Sequence, residues 1–450
     1  MYGVKLIHET QHFLFLFVSA MALISSCRSL PRTDYPILPG HHFMFTWNAP
    51  TELCNIHFGM PLDLSYFSVV SSTLKTVTNQ SISIFYIDRF GIFPYIDEDT
   101  GEMHDEDLPQ ITDMQDHHDD AADDIKHYIP TDGPGLAVLD FEEWRPQWIR
   151  NWGSKYIYRE VSIEKVKKKN TSLSEDEAEE RAKIVFERAK LRPKRLWGYY
   201  LYPDCYNYDY NQDMVESTAL FPSIYLELVL KDSWKARLFV RHRIQEAMRV
   251  STLPQSTYSI PIYAYIRPVY KDSVDDYVSE FDLVNTTGEA AALGAAGVIS
   301  WGDMNVTDTE DSCFDAQHHL EQVINRYIVN VSTATRLCGD ALCQGQDRCI
   351  RKHWDDDVFL HLHSCHYQIK QQHRGGPLTV SGGLSQDDIN LFDKNFDCMC
   401  YTEKPCRSVI TLNVIHDAVI NTRNRTADRT HSILHVHLYL CVLVWVFVSE

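Results

Sequence analysis

The sequence predicts an α/β protein in which a closed (β/α) barrel is followed by a small disulfide-rich module. Two observations carry this prediction. Strand-like apolar runs alternate with helical patterns over about 270 residues, which favours a closed barrel of parallel strands over an open doubly wound sheet. From Cys338 to Cys406 the chain instead holds a block of six cysteines, in addition to Cys365, and little apolar sequence, so that this segment needs covalent cross-links to fold.

The N-terminus has the pattern of a secretory signal peptide over residues 1–27. Lys5 precedes an apolar run over residues 13–24, and Ser25-Ser26-Cys27 follows; the run is too short to span a bilayer. In an oxidising compartment the 12 cysteines are interpreted as disulfides before metal ligands. Glycosylation sequons fit the same route; they begin at Asn79, Asn170, Asn285, Asn305, Asn330 and Asn424.

The predicted strands and helices follow in order. Ser174 and Glu177 form a capping-box pattern at the start of the clearest helix, over residues 174–190, and charge pairs at i,i+4 support its exposed face. The other helices are predicted over residues 117–127 and 234–248. The strand-like runs cover residues 43–47, 82–87, 136–139, 196–201, 223–228, 260–266 and 297–301.

The third of these runs ends in two acids. The apolar stretch 136–139 is typical of a strand buried on both faces, and Asp140 and Glu142 follow it at i and i+2, on one face of an extended chain. Like charges at the edge of an apolar core raise the pKa of one of them. A proton donor beside a fixed anion is what cleavage of an acetal bond requires. The alternative is structural, with Asp140 capping the next helix and Glu142 bonded to backbone.

Other predicted strands also end in polar and aromatic residues, which suggests a sugar-binding cleft at the carboxyl ends of the strands. No Gly-X-Gly-X-X-Gly pattern follows a strand, which argues against a dinucleotide, and the net charge of −20 argues against nucleic acid. The acid-rich stretch 97–124 lacks the calcium-loop pattern, so we expect no metal and no cofactor. These strand-end residues are Asn48, Tyr86, Asp140, Glu142, Tyr200, Asp204, Tyr225, Tyr265 and Trp301.

The C-terminus predicts a lipid anchor. A polar spacer over residues 409–432 leads to a tail, 433–450, whose apolar part is too short for a transmembrane helix and has no basic flank. A cleaved signal for glycolipid attachment fits this pattern. We therefore expect a signal at 1–27, a barrel at 36–335 and a disulfide module at 336–408, on the extracellular face of the plasma membrane or secreted.

Several motifs in order resemble the vertebrate hyaluronidases, and within them the sperm-surface, glycolipid-anchored branch. The resemblance extends from about residue 36 to 407. The matching stretches are Phe85-Tyr86-Ile87-Asp88-Arg89, Asp140-Phe141-Glu142-Glu143-Trp144-Arg145-Pro146, Leu196-Trp197-Gly198-Tyr199-Tyr200, Pro203-Asp204-Cys205-Tyr206-Asn207-Tyr208-Asp209, Ala219-Leu220-Phe221-Pro222-Ser223-Ile224-Tyr225 and Gly294-Ala295-Ala296-Gly297-Val298-Ile299-Ser300-Trp301-Gly302.

This resemblance implies a distorted, TIM-like barrel, an EGF-like module and endo-cleavage of β-1,4 bonds in hyaluronan, with chondroitin as a further substrate. Glu142 would be the acid/base, and Asp140 would hold the substrate's acetamido group, whose carbonyl oxygen is the nucleophile. Tyr200 and Tyr225 would line the pocket of the cleaved sugar. The remaining contacts implied are Asp204, Tyr206, Tyr208, Tyr265, Asp272 and Trp301, with Asn48 and Tyr86 as less closely matched positions. We expect a monomer.

The resemblance also implies four disulfides: Cys54–Cys313, Cys338–Cys349, Cys343–Cys398 and Cys400–Cys406. Two departures accompany it, because the chain is shorter than these relatives between Lys183 and Arg192 and between Asp209 and Ser217. The second removes the usual partner of Cys205, which is then a free thiol or pairs with the additional Cys365; we favour free thiols. The alternative function is a catalytically impaired glycan-binding or adhesion protein on the same fold.

Overall fold

A computed structural model describes most of the chain between residues 32 and 406. The described residues are 32–105, 108, 110, 112–131, 134–140, 142–144, 148–188, 198–200, 202, 217–253, 258–345, 347–373, 376–401 and 406. The predicted signal, spacer and tail lie outside them, as do Asp204, Cys205, Tyr206, Tyr208 and Asn424.

Parallel strands form the centre of the molecule, in two groups. Four of them are ordered β2-β1-β9-β8 and three are ordered β3-β6-β7, with every neighbouring pair parallel. Their bounds are β1 Met44–Asn48, β2 Val69–Ser71, β3 Ile82–Phe85, β6 Leu136–Leu139, β7 Gly198–Tyr199, β8 Tyr263–Ile266 and β9 Gly297–Trp301; the short strands β4 Tyr95–Ile96 and β5 Met103–His104 form an antiparallel pair.

The two groups are joined on both sides. Phe221 makes a parallel bridge to Tyr200 after β7, while Ser223 bridges Tyr265 of β8. On the other side the backbone N–H of Ile82 donates to Ser71 Oγ at 3.1 Å, which links β3 to β2. The carboxyl ends of the parallel strands consequently lie at one edge of the assembly.

Alternate residues of the strands pack into two different apolar clusters, as expected for strands buried on both faces. Met44, Val138 and Ile299 belong to an inner cluster shared by the two groups of strands. Trp47 and Val298 belong to an outer cluster against the helices. Burial on both faces explains why these strands appear in the sequence as unbroken apolar runs.

The helices surround this centre. Those predicted over 117–127, 174–190 and 234–248 are present at Met114–Tyr128, Glu175–Arg188 and Trp234–Ser251, and Ser174 exchanges hydrogen bonds with Glu177 at the start of the second. The following helices were not predicted from the sequence: Glu52–Phe58, Ile157–Lys169, Glu280–Leu283, Glu289–Ala292, Glu310–His319 and Asn325–Leu342. Two π-helical turns lie at Val284–Gly288 and Leu320–Ile324. Short 3-10 turns lie at Trp148–Arg150, Gly153–Tyr156, Leu228–Leu230 and Met304–Thr307.

One predicted strand is wrong. Residues 223–228 form no strand; only isolated bridges occur around Pro222, and a 3-10 turn begins at Leu228. Pro222 has no N–H to donate to a neighbouring strand, so that a continuous ladder cannot form through it. Its carbonyl still accepts from Tyr265 N at 2.8 Å, which keeps this segment beside β8.

Helix Asn325–Leu342 carries the chain into the C-terminal region, where β10 Arg348–Arg351 pairs with β13 Phe396–Met399 and β11 Tyr367–Gln371 pairs with β12 Leu378–Gly382, both antiparallel. Helix Gln386–Asn395 lies between them in sequence. Four disulfides join described cysteines, and they are the pairs implied by the resemblance. Cys365, also within the described part of the chain, is exposed with a free thiol. Within the described residues no helix is long and apolar enough to cross a membrane.

Candidate active site

Asp140 lies directly after β6, at the carboxyl edge of the parallel strands. Its backbone N–H donates to the carbonyl of Phe85 at 2.9 Å, which extends the ladder with β3 by one residue. Its side chain is half-buried, and its Oδ1 has no hydrogen-bond partner among the described groups. Its Oδ1 therefore makes no capping hydrogen bond among the described contacts.

Burial is also the main electrostatic influence on this acid. It raises the pKa of Asp140 from 3.8 to about 8, and the charges of Glu142 and Glu143 add to the effect. Glu142 is exposed. Asp140 is therefore an acid whose pKa is raised by burial at this strand end.

Four aromatic rings pack together beside these acids. The hydroxyls of Tyr200 and Tyr225 lie 2.6 Å apart. The ring of Tyr225 stacks on that of Trp301, with centroids 6.4 Å apart, and Tyr265 meets Tyr200 edge-on at 4.8 Å. The charge of Asp140 raises the pKa of Tyr200 and Tyr265 further, after burial, which shows that acids and rings share one site.

Tyr86 joins the same cluster. Its hydroxyl accepts a hydrogen bond from Trp301 Nε1 at 3.3 Å, across 215 positions of sequence. Burial raises its pKa to about 12, with a smaller contribution from the charge of Asp140. At neutral pH these hydroxyls are uncharged, so that they provide hydrogen bonds without adding negative charge beside the two acids.

Asn48 ends β1 at the same edge. Its side chain is fully buried, and neither its Oδ1 nor its Nδ2 has a partner among the described groups. Tyr265 is also fully buried, and its hydroxyl likewise has no hydrogen-bond partner among the described groups. Buried polar atoms normally have partners, so these two side chains are exceptions at the strand ends.

Sequence reasoning missed Arg267, which orients Trp301. Its guanidinium lies over the indole ring at 5.3 Å from the centroid and donates from Nη2 to Asp303 Oδ2 at 2.7 Å. Its spacing could have predicted this position, because Arg267 follows Tyr265 by two residues and so lies on the same face at the strand end. Similarly, Arg89 lies over the ring of Tyr86 at 4.6 Å.

Asp272 has a different environment. It is exposed, and its Oδ1 accepts from the backbone N–H of Leu228 at 2.7 Å, an interaction that fixes the turn at Leu228–Leu230. Its contact with substrate stays a prediction. Asp204, Tyr206 and Tyr208 lie outside the described residues.

The sequons fall into two groups. Asn79, Asn170 and Asn305 are exposed. Asn285 is 2% exposed and its Nδ2 lies 3.3 Å from Asp282 Oδ1. Asn330, within helix Asn325–Leu342, accepts from the backbone N–H of Leu362 at 2.7 Å.

Acids at the end of a parallel strand, facing a cluster of tyrosine and tryptophan rings, define a glycosidase. Similarity to known proteins identifies the family of glycosidases. The hyaluronidase family model matches residues 32–216 and 214–409. The chain therefore belongs to the hyaluronidase family, which confirms the resemblance of its motifs.

The relatives agree with this assignment. Hyaluronidase PH-20 of Homo sapiens is 41% identical over 423 residues, which cover 87% of this chain and 83% of the relative. Hyaluronidase-2 of Bitis arietans is 38% identical, over 81% of this chain and 90% of the relative. The crystal structure of bee venom hyaluronidase in complex with a hyaluronic acid tetramer superposes with a TM-score of 0.53 at 26% identity, covering 63% of this chain and 97% of that one.

Proposed function

We propose that this protein hydrolyses β-1,4 bonds within hyaluronan, and also within chondroitin. The observation that carries the proposal is the position of Asp140 and Glu142 at the end of β6 beside the rings of Tyr200, Tyr225 and Trp301. The solved relative bound to a hyaluronic acid tetramer supports hyaluronan as the polymer. Sugar rings present apolar faces that stack on aromatic side chains, and their hydroxyls match the neutral tyrosine hydroxyls.

The proposed mechanism is substrate-assisted and retains configuration. Glu142 donates a proton to the glycosidic oxygen while the acetamido carbonyl oxygen of the substrate bonds to the anomeric carbon, and the bond to the leaving sugar breaks. Glu142 then takes a proton from water, which attacks the same carbon and releases the acetamido group. The exposed position of Glu142 is compatible with both proton transfers, since leaving group and water approach from the cleft.

Asp140 has the complementary role. In this mechanism positive charge develops on the acetamido group, and a carboxylate beside it stabilises that charge. Burial raises the pKa of Asp140 to about 8, so that the side chain is largely protonated in the free protein at neutral pH. The positive charge that develops on the acetamido group favours release of this proton to solvent, and the reduced solvent screening makes the resulting ion pair strong. Asp140 would thereby hold the acetamido group in position for attack on the anomeric carbon.

We further propose that the two groups of strands are one distorted (β/α) barrel over residues 36–335, and that residues 336–408 form an EGF-like module. The bridges at Phe221 and Ser223 and the hydrogen bond from Ile82 to Ser71 support closure. The three disulfides of the C-terminal region support the module. We infer that the protein acts as a monomer.

The test of the reaction is Glu142→Gln, which keeps the size of the side chain and removes its titrating proton. The hydrolysis rate on purified hyaluronan, measured by loss of turbidity, should fall at least ~10²-fold, the scale of general-acid catalysis. Polymer binding, measured by co-sedimentation, should persist. Hydrolysis at close to the wild-type rate would exclude Glu142 as the acid.

A second candidate is a glycan-binding protein with impaired catalysis. It is favoured by one observation: the two blocks of the family match meet at residues 214–216, inside the stretch Asp209–Ser217 where we expect a missing excursion. Wild-type protein that binds hyaluronan but leaves its turbidity unchanged between pH 4 and pH 8 would support this candidate over the enzyme.

For location, we propose the extracellular face of the plasma membrane, through a glycolipid attached after removal of the tail 433–450. A phosphatidylinositol-specific phospholipase should release the protein from expressing cells. Retention on the cells, together with an intact tail by mass spectrometry, would instead indicate a membrane span.

A further inference from the structure

Glu143, the residue after Glu142, connects the backbone of Glu142 to a lysine in a neighbouring turn. The Oε2 of Glu143 accepts a hydrogen bond from the backbone N–H of Glu142 at 3.2 Å. The carbonyl oxygen of Glu143 in turn accepts from the ammonium of Lys155 at 2.9 Å. The backbone that carries Glu142 is therefore fixed through its neighbour, by a contact 12 residues away in sequence.

Lys155 lies in the 3-10 turn Gly153–Tyr156, and its side chain is 20% exposed. Besides the carbonyl of Glu143, it reaches Glu98 Oε1 at 2.7 Å. An ammonium group has three donors, so that one lysine holds a backbone carbonyl and a carboxylate together. Glu98 belongs to the loop after β4, and Lys155 thus connects the segment after β6 to that loop.

Pro94, directly before β4, provides a second anchor for this segment. Trp144 is buried, and its indole N–H donates to the carbonyl of Pro94 at 3.1 Å. Between the end of β6 at Leu139 and the 3-10 turn at Trp148 the described residues belong to no helix or strand. Among the described contacts, the side chains of Lys155 and Trp144 hold this segment along its path past Asp140.

We propose that Lys155 is a positioning residue for Glu142: by holding the carbonyl of Glu143 it fixes the direction in which the acid enters the cleft. The proposal rests on the role proposed above for Glu142. A general acid must stand within hydrogen-bond reach of the leaving oxygen, and a misplacement of about 1 Å costs up to ~10²-fold in rate. Lys155 is assigned no contact with the substrate.

The experiment compares steady-state kinetics of the full secreted protein on hyaluronan. Lys155→Met keeps the length of the side chain and removes its donors; kcat should fall ~10-fold, because the acid is displaced, while KM stays within twofold. Lys155→Arg restores a cationic donor and should recover kcat to within about threefold of wild type. The matched control is Lys168→Met, on helix Ile157–Lys169, whose ammonium is largely exposed and lies 3.8 Å from Glu164; its kcat should equal wild type.

The outcomes separate this proposal from the proposed function. An unchanged kcat in Lys155→Met, alongside an inactive Glu142→Gln, overturns the positioning role and leaves the reaction intact. A rise in KM with kcat unchanged also overturns it, since that indicates substrate binding. Should Lys155→Met fail to fold, Lys155→Ala replaces it, because it also removes the donor to the carbonyl of Glu143; a kcat equal to wild type in that variant would likewise overturn the proposal.

Discussion

The contact between the helices around the parallel strands and the C-terminal region contains a buried charge cluster, and removing its anion is expected to destabilise the protein strongly. Glu289, on helix Glu289–Ala292, has no exposed side-chain surface. Its Oε1 accepts from Arg241 Nε at 2.6 Å and from Arg351 Nη2 at 2.5 Å, and its Oε2 accepts from Arg351 Nη1 at 3.0 Å. Arg351 belongs to β10, so that one carboxylate joins both regions.

Other donors of the two guanidinium groups bind backbone carbonyls. Arg241 donates to the carbonyl of Asp355 at 2.7 Å, and Arg351 donates to that of Trp354 at 2.6 Å. In Glu289→Ala the guanidinium of Arg351 stays buried among these carbonyls without its described counter-ion, while Arg241 keeps only the half-exposed Asp357, whose Oδ1 lies 3.0 Å from Nη2. Removal of one partner from a buried ion pair costs about 3–5 kcal/mol, a large part of the roughly 5–15 kcal/mol that stabilises a folded protein.

The measurement is the thermal midpoint of the secreted variant, followed by scanning calorimetry. We expect a decrease of at least about 5 °C, since 1 kcal/mol shifts the midpoint by roughly 2–4 °C in domains of 150–250 residues. The control is Glu246→Ala, which breaks the surface pair with Arg249 and should cost less than about 1 kcal/mol. A Glu289→Ala midpoint within 2 °C of wild type would refute the reasoning.

Two further predictions concern the acid and the sequons. The pKa of Asp140 rises from 3.8 to about 8 on folding, so the folded state holds this proton more tightly, and the wild-type protein loses stability as the pH rises from about 4 to about 8. The thermal midpoint of Asp140→Asn should therefore exceed that of wild type at pH 8 but not at pH 4. An equal difference at both pH values would contradict the assigned burial. Peptide mapping of the secreted protein should find glycans at the exposed Asn79, Asn170 and Asn305 and none at the buried Asn285, whose occupancy would be incompatible with its packing.

The sequence by itself determined the elements whose causes are local. An unbroken apolar run ending in Asp140 and Glu142 predicts a buried parallel strand with two acids on one face, and β6 has those bounds. The capping box at Ser174 and the charge pairs after it predicted helix Glu175–Arg188. The order of the motifs sufficed for the family. Each of these inferences uses neighbours within a few positions, where backbone geometry fixes which side chains meet.

Only the tertiary structure decided how these elements affect one another. Which of the two neighbouring acids has its pKa raised depends on burial by distant strands, and spacing alone cannot show it. The contacts of Arg267 with Asp303, Lys155 with Glu98 and Glu289 with Arg351 join positions 36, 57 and 62 residues apart. Whether the Asn285 sequon is accessible depends likewise on packing. Packing brings such residues together after the chain has folded, and no periodicity in the sequence records it.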